Sequence, residues 1–194
     1  MNKFVIAIDF DSVMNNLLEN WVEELNNLYS LNKTIDDILY WDMKEVYKDE
    51  LAWDQIVKPL DDPKFWLKVD AQKDSQELIK KLVDNNNFKV KVVTNSYYSI
   101  LPFKFDNCLF RLFPYLSYKD IVITYDKSII DCNILVDDYH NNFKGLRNKT
   151  YRILFDYPYN RNIDDNLYDI RLNNWIDIYD KIIEISKCDN LDYF

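Results

Sequence analysis

The chain reads as an α/β protein: a Rossmann-like core with a parallel sheet, and a small helical cap inserted after the first strand-helix unit. Three observations predict this. Short apolar-rich runs at 4–8, 88–93 and 134–136 have strand length and suit strands covered on both faces. Helical or irregular segments separate them, and strands that alternate with helices fold into a parallel, right-handed sheet. Each run also ends in polar residues, at Asp9, at Thr94-Asn95-Ser96 and at Asp137-Asp138. The carboxyl edge of such a sheet is where open α/β folds bind ligands.

After the first strand, Leu17, Leu18, Trp21, Val22, Leu25 and Leu28 recur at three- and four-residue steps and predict an amphipathic helix over 15–31. Thr34 with Asp37 three residues on resembles a helix-capping start. From there to Asp70 no strand pattern appears, and Tyr40, Trp41, Trp53, Phe65 and Trp66 make the stretch aromatic. It is expected to sit above the carboxyl edge. Leu78, Ile79 and Leu82 predict a helix over 72–83, ended by Asp84-Asn85-Asn86-Asn87. Strands follow at 88–93, 120–124, 134–136 and 151–155, and a last helix at 175–185. The expected organisation is one domain over 1–194, with the core at about 1–16 and 73–194 and the cap at about 17–72.

With 194 residues, 48% hydrophobic and 29% charged, the chain can bury one substantial core. A net charge of -9 argues against duplex nucleic acid as a partner, and no apolar run reaches membrane-spanning length. Three scattered cysteines form neither a zinc motif nor a disulfide framework and suit a reducing cytoplasm. A single glycine, Gly145, excludes glycine-rich phosphate loops, so phosphate chemistry here must rest on side chains and metal. A homodimer is left open.

Side chains alternate along extended backbone, so Asp9 and Asp11 can face one side, a repulsive pair unless a cation or proton lies between them. Alone, Asp-x-Asp after a strand is most simply a helix cap. The order of strand ends changes that reading: Asp9 and Asp11, then Thr94 and Asn95, then Lys127, then Asp137 and Asp138. One carboxylate can attack phosphorus, and a second, two residues on, can protonate the leaving alkoxide and then deprotonate water. Asp9 is assigned the attack and Asp11 the proton transfer. Thr94 and Lys127 can stabilise the non-bridging phosphoryl oxygens. Magnesium prefers hard oxygen ligands, and Asp9, Asp138 and the Asp11 carbonyl are candidates, with Asp137 beside them.

These motifs, Asp-x-Asp-x-Val, Thr94, Lys127 and Asp137-Asp138 in order, resemble those of the haloacid dehalogenase-like phosphatases. Asp126-Lys127-Ser128 ten residues before Asp137-Asp138, followed by Leu154-Phe155 and Asn160, is similar to the 5′(3′)-deoxyribonucleotidase family. The resemblance implies a magnesium-dependent phosphatase of nucleoside monophosphates, often deoxypyrimidine ones, with a small helical cap. It also implies Asp9 as nucleophile, Asp11 as acid/base, Asp138 as direct metal ligand and Asp137 as its neighbour. Ser12 replaces the usual Gly after the second Asp, Thr94-Asn95-Ser96 differs from the commoner Thr-Ser, and Leu17 stands where relatives often place an aromatic that contacts the base.

Asn95, Ser96, Leu17, Tyr40 and Trp41 are the substrate-binding candidates. Tyr40, Trp41 and Trp66 can stack on a nucleobase, or can simply form the core of the cap. His140 is read as a surface or loop residue and Asn160 as a turn residue. Another small phosphomonoester as substrate, or a non-catalytic binding module, are the competing functions.

Overall fold

The structure is a computed structural model describing residues 3–189. Six strands, β1 (Phe4–Asp9), β2 (Phe88–Thr94), β3 (Ile121–Ile123), β4 (Ile134–Asp137), β5 (Tyr151–Phe155) and β6 (Ile170–Leu172), form one parallel sheet in the order β3-β2-β1-β4-β5-β6. The chain winds outward from β1 in both directions. The strand order therefore reverses between β1 and β4, the place where open parallel sheets leave a crevice at their carboxyl ends.

Alternation along the strands divides the core between two faces. Ile6, Ile8, Val92 and Val136 join a large cluster that includes Val22, Ile79, Trp175 and Ile178 from helices α1 (Leu17–Tyr29), α5 (Ser75–Asp84) and α8 (Trp175–Asp189). Ala7, Val93, Leu135 and Leu154 point the other way and pack with Cys132 and Phe143. Burial on both faces explains why the central strands carry so few polar residues.

Between α1 and α5 lie only helical elements, among them α2 (Met43–Val46), α3 (Trp53–Val57) and α4 (Pro63–Lys68). The two ends of this excursion leave the sheet side by side: Asn15 bridges Ala71, Asn16 N donates to Asp70 O at 2.9 Å, and Gln72 N donates to Met14 O at 2.9 Å. The expected cap at Thr34 is present, with Asp37 Oδ2 accepting from Thr34 N at 2.7 Å. Trp66 is buried and donates from Nε1 to Leu60 O at 2.9 Å, so it belongs to the core of the insertion and presents no face to a ligand.

Two features escape sequence periodicity. The sixth strand, Ile-Arg-Leu, is too short to show a pattern. The other is a helical stretch after β2: α6 (Leu101–Lys104), a π-helical turn (Phe105–Leu109) and α7 (Phe110–Leu112). Its buried stripe is Ile100, Lys104, Cys108 and Leu112, and a lysine in that stripe interrupts the apolar signal. The other differences are element ends moved by a few residues, α8 for example running on to Asp189.

Candidate active site

Three strand ends set polar residues at the crevice. Asp9 closes β1, Thr94 closes β2 and Asp137 closes β4, with Asp138 directly after it. All four are buried. Lys127 arrives from a short 3-10 turn (Lys127–Ile129), which Asp126 caps by accepting from Ser128 N at 2.9 Å. Gly145 holds φ +76°, and a Cβ there would come within 3.2 Å of the Ser128 Cβ. A residue without a side chain thus supports the turn that carries Lys127.

Asp9, Asp137 and Asp138 each offer a carboxylate oxygen, and these oxygens lie within 4.8 Å of one another. Lys127 Nζ bonds Asp9 Oδ1 and lies 2.5 Å from Asp137 Oδ2. The remaining Asp137 oxygen accepts from Tyr139 N and Asn142 Nδ2, both at 2.9 Å. One lysine thus pairs with two of the three buried carboxylates. Burial pushes the Asp9 carboxyl well above the usual range; Lys127 opposes the rise, and Asp137, Asp138 and Asp11 add to it. Burial, with Asp137 adding to it, pushes Asp138 up to about 7. Burial alone would lower Lys127, but Asp137 and Asp9 carry it above the usual lysine range. The cluster has an excess of buried negative charge and all-oxygen donors, which fits a hard divalent cation.

The Asp11 carboxylate does not join this cluster. It turns to Lys104, a residue that sequence reading missed. Lys104 is buried, and its Nζ also donates to Thr94 Oγ1 at 2.6 Å. A signal existed: Lys104 falls four residues from Ile100 and four from Cys108, an apolar-face position where a lysine needs a built-in partner. Ser12, beside Asp11, adopts φ +62°, a left-handed conformation that favours glycine.

A second layer supports Asp138. Tyr159 donates its hydroxyl to Asp138 Oδ2, and Asn160 donates from Nδ2 to Asp138 O and Phe155 O, both at 2.8 Å. Asn160 is therefore a buried brace and more than a turn residue. Tyr159 stacks on Tyr157 at 5.4 Å, and the Tyr157 hydroxyl accepts from Gln72 Nε2 and lies 3.0 Å from Glu19 Oε1. His140 is half-buried in a short 3-10 turn (His140–Phe143), its ring edge-on to Tyr139.

The other substrate-binding candidates separate. Asn95 is exposed and Ser96 half-buried at the end of β2. Leu17 is buried in the large core cluster at the start of α1. Tyr40 and Trp41 are about half exposed, and Trp41 stacks on Tyr139, ring centroids 4.0 Å apart. That stack spans from the helical insertion to the loop after Asp138.

Glu19 makes one testable point. Burial raises its carboxyl above the usual range, with its own backbone amide, Tyr157 and Gln72 opposing, and its Oε2 is buried without a hydrogen-bond partner among the described residues. A raised carboxyl contributes stability at low pH that is lost as pH climbs through the folded-state value. Glu19→Gln is therefore expected to melt increasingly above wild type as pH rises from about 4.5. Thermal melts of both proteins across pH check this; a constant difference contradicts it.

The chain was compared with known proteins. The family model for 5′ nucleotidase, deoxy (pyrimidine), cytosolic type C protein matches residues 3–188. A 5′(3′)-deoxyribonucleotidase of Bacillus subtilis is 32% identical over 184 residues, covering 93% of this chain and 99% of the relative. A 5′(3′)-deoxyribonucleotidase of Clostridium acetobutylicum is 27% identical over 175 residues, covering 90% and 92%. Among solved structures, a haloacid dehalogenase-like hydrolase of Streptococcus pneumoniae superposes with a TM-score of 0.64 at 11% identity, covering 93% of this chain and 98% of that one. That likeness concerns the fold, a parallel α/β core. The match over nearly the whole length places the chain in the 5′ nucleotidase, deoxy (pyrimidine), cytosolic type C family of phosphoric monoester hydrolases.

Proposed function

We propose that the protein hydrolyses nucleoside monophosphates, deoxyribonucleoside monophosphates foremost, to nucleoside and phosphate with magnesium bound, through an aspartyl-phosphate on Asp9. The observation that carries this reading is the buried trio Asp9, Asp137 and Asp138 around Lys127 at the strand-order reversal, with Thr94 at the neighbouring strand end. The names of the relatives supply the substrate class.

Asp9, Asp137 and Asp138 would hold the cation. When bound, it neutralises charge on the carboxylates and on the phosphoryl oxygens. Asp9 attacks phosphorus from the end of β1. Lys127 stands against Asp9 and offsets the charge that accumulates on the phosphoryl group. Thr94 offers its hydroxyl to a non-bridging oxygen, and Asp11 exchanges the proton with the leaving oxygen and then with water. Residues of about 17–72 form the cap, and the exposed Trp41 and Tyr40 are its base-facing surface. Three free cysteines suit the cytoplasm.

The test is phosphate release from a panel of ribo- and deoxyribonucleoside monophosphates, with sugar phosphates beside them, in magnesium and in chelator. The expected result is release from nucleotides in magnesium and none in chelator. Release from sugar phosphates alone discards the substrate class, and release that survives chelation discards the metal.

A further inference from the structure

Lys104 is a second buried cation in the site, and the roles given to Asp9, Asp11, Thr94 and Lys127 leave it without a purpose. Its side chain is 1% exposed, so it meets neither solvent nor an incoming phosphate freely. Its Nζ bonds Asp11 Oδ2 and lies 2.6 Å from Thr94 Oγ1, 3.3 Å from Asn95 O and 3.4 Å from Ser96 Oγ. An ammonium has three protons, and these acceptors use them all. The group is therefore committed to the site's own residues. The rings of Phe10 and Trp66 flank it at 5.7 and 5.9 Å and keep it in place.

The pairing divides Asp11 into two unlike oxygens. Oδ2 is fixed by Lys104, while Oδ1 is buried with no hydrogen-bond partner among the described residues. A carboxyl whose one oxygen is anchored and whose other is unpaired has a defined direction for proton transfer. Lys104 ends the helix Leu101–Lys104, and a π-helical turn, Phe105–Leu109, begins at the next residue.

We propose that Lys104 is the positioning residue for proton transfer by Asp11, holding Oδ2 so that Oδ1 meets the oxygen of the leaving nucleoside. The inference rests on the phosphatase reading above. In the first step the bond from Asp9 to phosphorus forms as the bond from phosphorus to the nucleoside oxygen breaks. The electron pair departs on that oxygen and takes the proton from Asp11 Oδ1. In the second step Asp11 takes a proton from water as the water oxygen bonds phosphorus and the Asp9 carboxylate departs. Lys104 stays paired with Oδ2 throughout.

In the first step a cation that acts through the acid matters only where the leaving oxygen needs a proton, whereas the second step is common to all substrates. The test therefore compares a deoxyribonucleoside monophosphate, whose alkoxide needs one, with p-nitrophenyl phosphate, whose phenolate departs without one. For Lys104→Gln the expected result, read as the single-turnover rate of aspartyl-phosphate formation, is a loss of about 10²-fold on the nucleotide, with KM within about threefold, and less than about fivefold loss on the aryl ester. Asp11→Asn is expected to show the same selectivity in its first step. Equal loss on both substrates, a KM effect alone, or no loss overturns the proposal in favour of a structural lysine. Should Lys104→Gln fail to fold, Lys104→Arg, which keeps the charge but alters the reach, must show the same selective loss or the proposal falls. A wild type inert on both esters overturns the phosphatase reading and this inference together, whereas an active wild type with unselective variants overturns this inference alone.

Discussion

Asp9→Asn is expected to lose about 10⁴-fold or more of turnover, since an amide cannot take the place of the attacking carboxylate. The fold should survive. The substitution keeps the size of the side chain and removes one carboxylate from a cluster of three, two of which share one lysine. Lys127 retains Asp137 at 2.5 Å, so no cation is left unpaired. Because burial and neighbouring carboxylates already push the Asp9 carboxyl upward, the neutral amide relieves a cost carried by the native site at neutral pH. Melting in chelator should thus be no lower than wild type. Turnover assays and thermal melts check both halves; wild-type turnover by the variant removes Asp9 from the nucleophile role.

Lys127→Met is expected to produce the largest loss of stability. Removing one partner of a buried ion pair costs about 3–5 kcal/mol, because the other charge stays buried without compensation. Here two carboxylates, Asp9 and Asp137, lose their partner at once, and both are buried. At roughly 2–4 °C per kcal/mol for a chain of this size, the melting temperature in chelator should fall by roughly 6–20 °C. The sign with pH follows from the raised lysine: its contribution is fully present at neutral pH and is lost only above the usual lysine range. Magnesium should recover more of the melting temperature in the variant than in wild type, because a bound cation supplies the missing charge. A melt in chelator within about 2 °C of wild type would contradict the assigned charge balance.

The strands that build the crevice were legible because burial on both faces leaves strands such as Phe4–Asp9 and Ile134–Asp137 almost wholly apolar until their last residue. The polar residues that follow stand out for the same reason. Asp9, Thr94, Lys127 and Asp137-Asp138 could be named as a set from order and type alone, and the fold brings them to one edge. Lys104 was hidden because its segment reads as apolar clutter around Pro102, and a lysine in a buried stripe looks like a break in the pattern. The direction of the Asp11 carboxylate was hidden with it, since the partner that turns it lies on a helix unseen in the sequence. Alternation alone would place Asp11 beside Asp9. Asn160 gave a turn signal after Pro158, and its bracing of the Asp138 carbonyl depends on two loops that only folding brings together. For the insertion, aromatic content was legible but the sorting was not: Trp66 went inward to Leu60, and Trp41 outward to Tyr139.

The central claim is that phosphate passes through Asp9. Wild-type protein should be acid-quenched while turning over a deoxyribonucleoside monophosphate in magnesium, then digested and weighed peptide by peptide. The account predicts one added phosphoryl group on the peptide that carries Asp9, absent in chelator and absent from Asp9→Asn. Turnover with that peptide unmodified, or with the phosphoryl group on another residue, would contradict it.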